Sequence, residues 1–202
     1  MIQEFVQQVT DTIKGIANTM HTAIPGEIDS FDPAKCLAVV KPAMKFKKPD
    51  GTMIDYPKIS GVPVVFPQSY GQKATIAYPV KPGDGCLIIV AEQSIDYWMY
   101  GQETGTDLRF DLTNAICIPG IFNKPNALLT EACNKNAIIA DLSGTKVTIQ
   151  SGKVTVDAAL VEINGNVKVN GRVDSTGDMK AGSISLQNHT HPTPHGESGT
   201  PS

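Results

Sequence analysis

Three kinds of hydrophobic spacing succeed one another along the chain, and each predicts a different element. In MIQEFVQQVTDTIKGIANTM, residues Ile2, Phe5, Val6, Val9, Ile13, Ile16 and Met20 recur at intervals of three and four. That spacing places them on one face of an amphipathic helix within residues 1–24, and Pro25 with Gly26 stops it. So regular a stripe needs a surface to cover. Its own domain, a sister subunit and another protein all remain open.

From Gly26 to about Gly120 the period shortens to two, with turn residues between the apolar runs. GEIDSF and CLAVVKP flank DPAK as a hairpin, and MKFKKPDGTMIDYPKI turns at Pro49-Asp50-Gly51. GVPVVF, ATIAYPV and CLIIVAE follow as further strands, the last two separated by KPGDG. About five short strands within residues 25–122 predict a small closed or nearly closed barrel. EQSIDYWMYGQ breaks the alternation as a short helix or loop, and residues 123–145 look like an irregular connector.

The third spacing is a repeat over residues 146–187. Its units are KVTIQSG, KVTVDAA, LVEING, NVKVNG, RVDSTGD and MKAGSIS. Apolar residues come in pairs two apart, Val147/Ile149, Val154/Val156, Val161/Ile163 and Val167/Val169, so each pair faces one side of a strand. The paired set switches between odd and even positions, which one flat strand does not do; a short strand, a corner and another strand would. A lone ribbon of this kind has two open edges and a half-exposed face, too little burial to offset the ordering of its backbone. Winding several copies about one axis closes the edges, and three is the smallest number that encloses an apolar prism. A homotrimer is therefore expected, against the alternative of a single-chain β-roll continuing the barrel.

Beyond the repeat, residues 188–202 gather three of the four histidines into NHTHPTPHGESG. In an extended segment His189 and His191 point to one side and Thr190 to the other, while Pro192 and Pro194 keep the backbone extended. Alone, such a pair is a weak signal. Three parallel chains, however, bring six imidazoles to a point on their axis, which suits an octahedral transition metal such as iron and suits tetrahedral zinc poorly. The spacing is too short for an HExxH helix, and Glu197 is the sole carboxylate side chain of the tail, so no catalytic site is expected. His195 is either a neighbour of the ligands or simply exposed.

Composition narrows the rest. A net charge of −3 indicates no bulk attraction to nucleic acid or anionic lipid. Cys36, Cys86 and Cys117 lie in or beside apolar runs and read as buried free thiols. Neither a basic leader with an apolar core nor a membrane-length apolar run is visible, so synthesis in a cytoplasm is expected. Tyr97, Trp98 and Tyr100 carry no interleaved basic residues and are expected to form a partly buried structural patch; stacking on a sugar or base is the alternative.

Taken in order, GEIDSFDPAKCLAVVKPA, PVVFP, PVKPGDGCLIIVAEQSIDYW, FDLTNAICIPG, KPNAL and NHTHPTPHGESG resemble the central spike, or membrane-piercing needle, of contractile phage tails and tailocins. The likeness is closest to short spikes with a single small barrel, and it covers the chain from about residue 26 to the end. It implies a mainly β fold: an OB-fold-like barrel after the N-terminal helix, an intertwined trimeric β-helix, and a metal-binding C-terminal apex. It implies one iron per trimer on the threefold axis, held by His189 and His191 of each chain, and gives His195 no role. The implied partners are two further copies of the chain, a baseplate hub protein at the N-terminal end and the bacterial outer membrane as target, without nucleic acid. The resemblance places the protein in the virion, at the tail baseplate, after assembly in the host bacterial cytoplasm. There it would pierce mechanically and not act as an enzyme. An OB-type barrel binding oligosaccharide or single-stranded nucleic acid is the alternative function.

Overall fold

The computed structural model describes residues 2–102 and 108–200. Met1, residues 103–107 of the expected barrel and residues 201–202 of the tail lie outside the described residues. The chain forms two compact units, one up to Thr130 and one from Glu131.

The first unit opens with helix α1 (Ile2–Thr19), as the three-and-four spacing predicts. No described residue of α1 is buried, and its apolar stripe stays between 41% (Val9) and 83% (Ile2) exposed. Among the described residues of this unit nothing buries it.

Strands β1 (Ala23–Asp32) and β2 (Leu37–Pro42) form the hairpin expected around DPAK, with Asp32 Oδ1 accepting from the turn amide of Ala34 at 3.0 Å. Strands β3 (Lys45–Lys47) and β4 (Met53–Asp55) make the small hairpin around Pro49-Asp50-Gly51, where Gly51 takes φ 89°. Next come β5 (Ile59–Pro63), the two-residue strands β6 (Gln68–Ser69) and β7 (Ala74–Thr75), then β8 (Gly85–Val90). Helix α2 (Asp96–Tyr100) precedes β9 (Ala115–Pro119). The predicted strand ATIAYPV is mostly absent: only Ala74 and Thr75 pair, and Ile76 and Tyr78 are exposed.

The main sheet runs β5-β2-β1-β8-β9. Its two ends meet in a parallel bridge between Val64 and Cys117, where Val65 N donates to Cys117 O at 2.8 Å, so the sheet is barrel-like. The long β1 serves both neighbours: Gly26–Asp32 pairs with β2 and Ala23–Glu27 with β8. A register shift between Ile28 and Ser30 bends it, as bulges do at barrel corners. Gly26 and Gly85 sit where the backbone is crowded. A Cβ on Gly85 would collide with the Ile121 carbonyl, and one on Gly26 would meet Ile88 Cδ1 at 2.5 Å.

Alternation does the packing. Ala38 and Val40 of β2 and Cys86, Ile88 and Val90 of β8 point inward, joining Ile28, Val62 and Cys117 in a core whose aliphatic members contribute about 1.5–3 kcal/mol each. Cys86 and Cys117 are fully buried free thiols as expected; Cys36 is half-buried, and Cys133 is exposed. A hydrogen bond between the Cys86 and Cys117 side chains, with burial, holds the Cys117 thiol well above the ordinary thiol range.

The second unit departs from the expected connector. Residues 123–145 are not irregular: they contain helix α3 (Ala127–Lys135) and strand β10 (Ile138–Leu142). Asn126 starts the helix, its Oδ1 accepting from Leu128 N at 2.9 Å. Strands β11 (Thr145–Gln150) and β12 (Lys153–Asp157) complete an antiparallel sheet in the order β10-β11-β12. The change of parity between Val147/Ile149 and Val154/Val156 comes from a tight reversal at Ser151-Gly152, not from a corner: Val147 faces Val156 and Ile149 faces Val154. Gly152, at φ 72°, permits that turn.

Candidate functional site

The three-stranded sheet has two unlike faces. On one, Lys146, Thr148 and Gln150 alternate along β11 and meet α3. Lys146 Nζ lies 3.1 Å from both carboxylate oxygens of Glu131, Lys135 Nζ is 2.7 Å from Glu131 Oε1, and Gln150 Nε2 donates to Lys135 O at 3.1 Å. Thr148 is buried beneath them. Hydrogen bonds from Lys135 and then Lys146 hold the Glu131 carboxyl below its usual range, and the bond to Glu131 raises Lys146. The residues read as a connector thus supply the cover for this face. The Asn126 cap and the ALLTEACNK spacing are the signals that would have revealed it.

The opposite face is apolar and mostly exposed, with Val147 half-buried. Register puts Ile138, Ala140 and Leu142 of β10 beside Ile149, Val147 and Thr145 of β11, and Val154 and Val156 of β12 beside Ile149 and Val147. Ile138 is 71% exposed, Leu142 65% and Val154 64%. The pattern continues beyond β12, where Leu160, Val161, Ile163, Val167, Val169 and Val173 are all exposed and residues 158–179 form no strand. Pairing resumes only in the short strands β13 (Lys180–Ala181) and β14 (Ile184–Ser185).

The tail brings the predicted histidine pair together. The rings of His189 and His191 stand perpendicular, 89° apart, with centroids separated by 5.0 Å. His189 Nδ1 lies 2.9 Å from Ser185 O and 3.2 Å from Leu186 O. Both are carbonyls and can only accept, so Nδ1 carries a proton, and in the neutral ring Nε2 then has the lone pair free for an electrophile. His191 is fixed through its backbone: its N donates to Ser198 Oγ at 2.9 Å and its O accepts from Ser198 N at 2.8 Å. Thr190, between them, turns to Glu197, with Oγ1 and Oε2 at 3.2 Å. Strands β15 (Pro192–Thr193) and β16 (Gly196–Glu197) close this hairpin. His195 occupies its turn, followed by Gly196 at φ 122°.

Imidazole nitrogen suits iron, copper, nickel and zinc alike, so the donor chemistry fits a transition metal. The number does not suffice in one chain. Among the described residues, no group of three or more His, Cys, Asp or Glu side chains is placed to hold a metal. Glu197, the carboxylate of the tail, is engaged by Thr190 instead. A metal here would need donors beyond this pair.

The aromatic residues also differ from expectation. Tyr97, Trp98 and Tyr100, on or beside the single turn of α2, are 68%, 72% and 59% exposed and not partly buried. A five-residue helix has too little face to turn three aromatic rings inward.

Among curated proteins, none matches the chain significantly. Residues 24–120, from the first strand of the barrel-like sheet to the end of its last, match the family described as the phage protein Gp138 N-terminal domain. This likeness supports a phage structural protein and a place in the virion.

Proposed function

We propose that three copies of this chain form the central spike of a contractile phage tail or tailocin, a rigid part that pierces the bacterial outer membrane without catalytic turnover. The observation that carries this reading is the exposed apolar face on Ile138, Leu142, Ile149, Val154 and Val156, continued by unpaired apolar residues to Val173. Soluble chains seldom expose so long an apolar run unless something covers it. Three identical faces turned toward one axis bury it, and their strand edges gain the partners that residues 158–179 lack. The resulting trimeric β-helix resists bending because flexure breaks many hydrogen bonds together. The barrel-like units seat the spike on a baseplate hub.

At the apex, His189 and His191 of each chain hold one iron. The chain's own contribution is orientation: Ser185 and Leu186 carbonyls fix the tautomer of His189, and the β15–β16 hairpin fixes the backbone of His191. The metal supplies a link among three chain ends that otherwise fray. Light scattering with metal analysis on the purified protein tests the proposal. A mass of three chains with one iron is expected; a 21.5 kDa particle at all concentrations removes it.

The exposure of Tyr97, Trp98 and Tyr100 favours a second role, stacking on an oligosaccharide or a single strand of nucleic acid. Titration with both ligand classes at micromolar concentration separates the two: tight, Trp98-dependent binding supports this role, and no binding ends it.

A further inference from the structure

We infer that the N-terminal helix is one strand of a parallel three-stranded coiled coil, so that its partner is the same helix of two other copies. The inference rests on the homotrimer proposed above, which puts three such helices side by side in the same direction.

The spacing is a heptad without interruption. Ile2, Val6, Val9, Ile13, Ile16 and Met20 follow one another at intervals of four, three, four, three and four. With Val6, Ile13 and Met20 as the a positions, Ile2, Val9 and Ile16 fall at d. Every one is exposed in the single chain. The five that lie inside α1 are all valine or isoleucine. β-branched residues at both a and d favour three or four strands over two, because two-stranded coils prefer leucine at d.

The flanks agree. Positions e hold Gln3, Thr10 and Ala17, and positions g hold Phe5, Thr12 and Thr19. None is charged, so identical helices meet without like charges opposed. The charged residues Glu4 and Asp11 fall at f and Lys14 at b, on the outward side. Thr10 and Thr12 donate to the carbonyls of Val6 and Gln8 at 2.8 Å, so their hydroxyls bring no unpaired donor to the seam. A helix of 18 residues is marginal alone, and attachment to a trimeric body raises its effective concentration.

The test uses the full chain with Cys133→Ser, which removes the exposed thiol. Ile13→Cys places a thiol at an a layer, Val9→Cys repeats the measurement at a d layer, and Gly15→Cys places one outside at c. Treatment with the shortest bis-maleimide, followed by denaturing electrophoresis, is expected to give covalent dimers from the first two variants and none from the third. Light scattering on the same samples gives the mass. A three-chain particle that fails to crosslink at Ile13→Cys and Val9→Cys, or that crosslinks equally at Gly15→Cys, overturns the coiled coil and leaves the trimer standing. A single-chain mass overturns both.

Discussion

Replacing Val154 by lysine separates a chain that is complete by itself from one that is a third of a shaft. Val154 is 64% exposed in the single chain, on the face opposite α3. Were that face truly solvated, Val154→Lys would alter stability by no more than about 0.5 kcal/mol, as exposed substitutions away from special features do. In a closed trimer the same position is interior, and each lost valine removes about 2 kcal/mol of burial. Three copies forfeit about 6 kcal/mol, on the order of a 10⁴-fold drop in the association constant, before the cost of three buried ammonium groups is added. The measurement is mass by light scattering across a dilution series, with the thermal midpoint recorded alongside. Lys153→Ala, one residue earlier and on the other face, is the control and leaves both unchanged. A Val154→Lys protein that keeps a three-chain mass and the wild-type midpoint refutes the assignment of this face to the interior.

The His189→Ala, His191→Ala double variant is expected to remain a folded trimer that binds no iron on elemental analysis; dissociation to monomers would make the metal the clamp of the whole assembly. Glu131→Gln removes two lysine partners, and its effect on the unit is pH-dependent. The Glu131 carboxyl is held below its ordinary range in the folded protein, so its contribution is present above the unfolded value and lost as pH falls through the folded one. Thermal midpoints of variant and wild type are expected to differ at neutral pH and to converge as pH falls through the folded value of Glu131. In the barrel-like unit, Gly85→Ala drives a methyl into the Ile121 carbonyl and is expected to cost about 2–3 kcal/mol in denaturant unfolding, whereas Gly15→Ala on open helix surface stabilises α1 slightly.

The barrel-like unit was legible because its signals are local. Alternation in CLAVVKP and CLIIVAE marks the buried positions of β2 and β8, and DPAK and PDG mark the turns. ATIAYPV misled because composition alone cannot supply a pairing partner: its β-favouring residues find a ladder only at Ala74 and Thr75. The histidine pair was legible for the same reason as the turns, since i and i+2 neighbours need nothing distant. The hydrogen bonds from His189 to the Ser185 and Leu186 carbonyls were not, because they depend on a tight turn across residues 185–189 that no alternation predicts.

Residues 158–179 expose the limit of reading one chain. Their apolar pairs have the spacing of strands, yet no strand forms there. Alternation fixes which side a residue would face; it does not create the second backbone that a ladder requires. Residues 138–157 escape because the Ser151-Gly152 reversal and the α3–β10 segment provide neighbours from the same chain. Beyond Asp157 no such hairpin reversal occurs until Gly182, and the intervening amides find no β-ladder partner among the described residues. The proposed trimer would account for both the missing ladder and the exposed face on β10–β12. In the proposed trimer this segment, patterned for pairing, would find its partner in another copy, and amide exchange over residues 158–179 that is slow in the assembled protein and fast in Val154→Lys is the signature to expect.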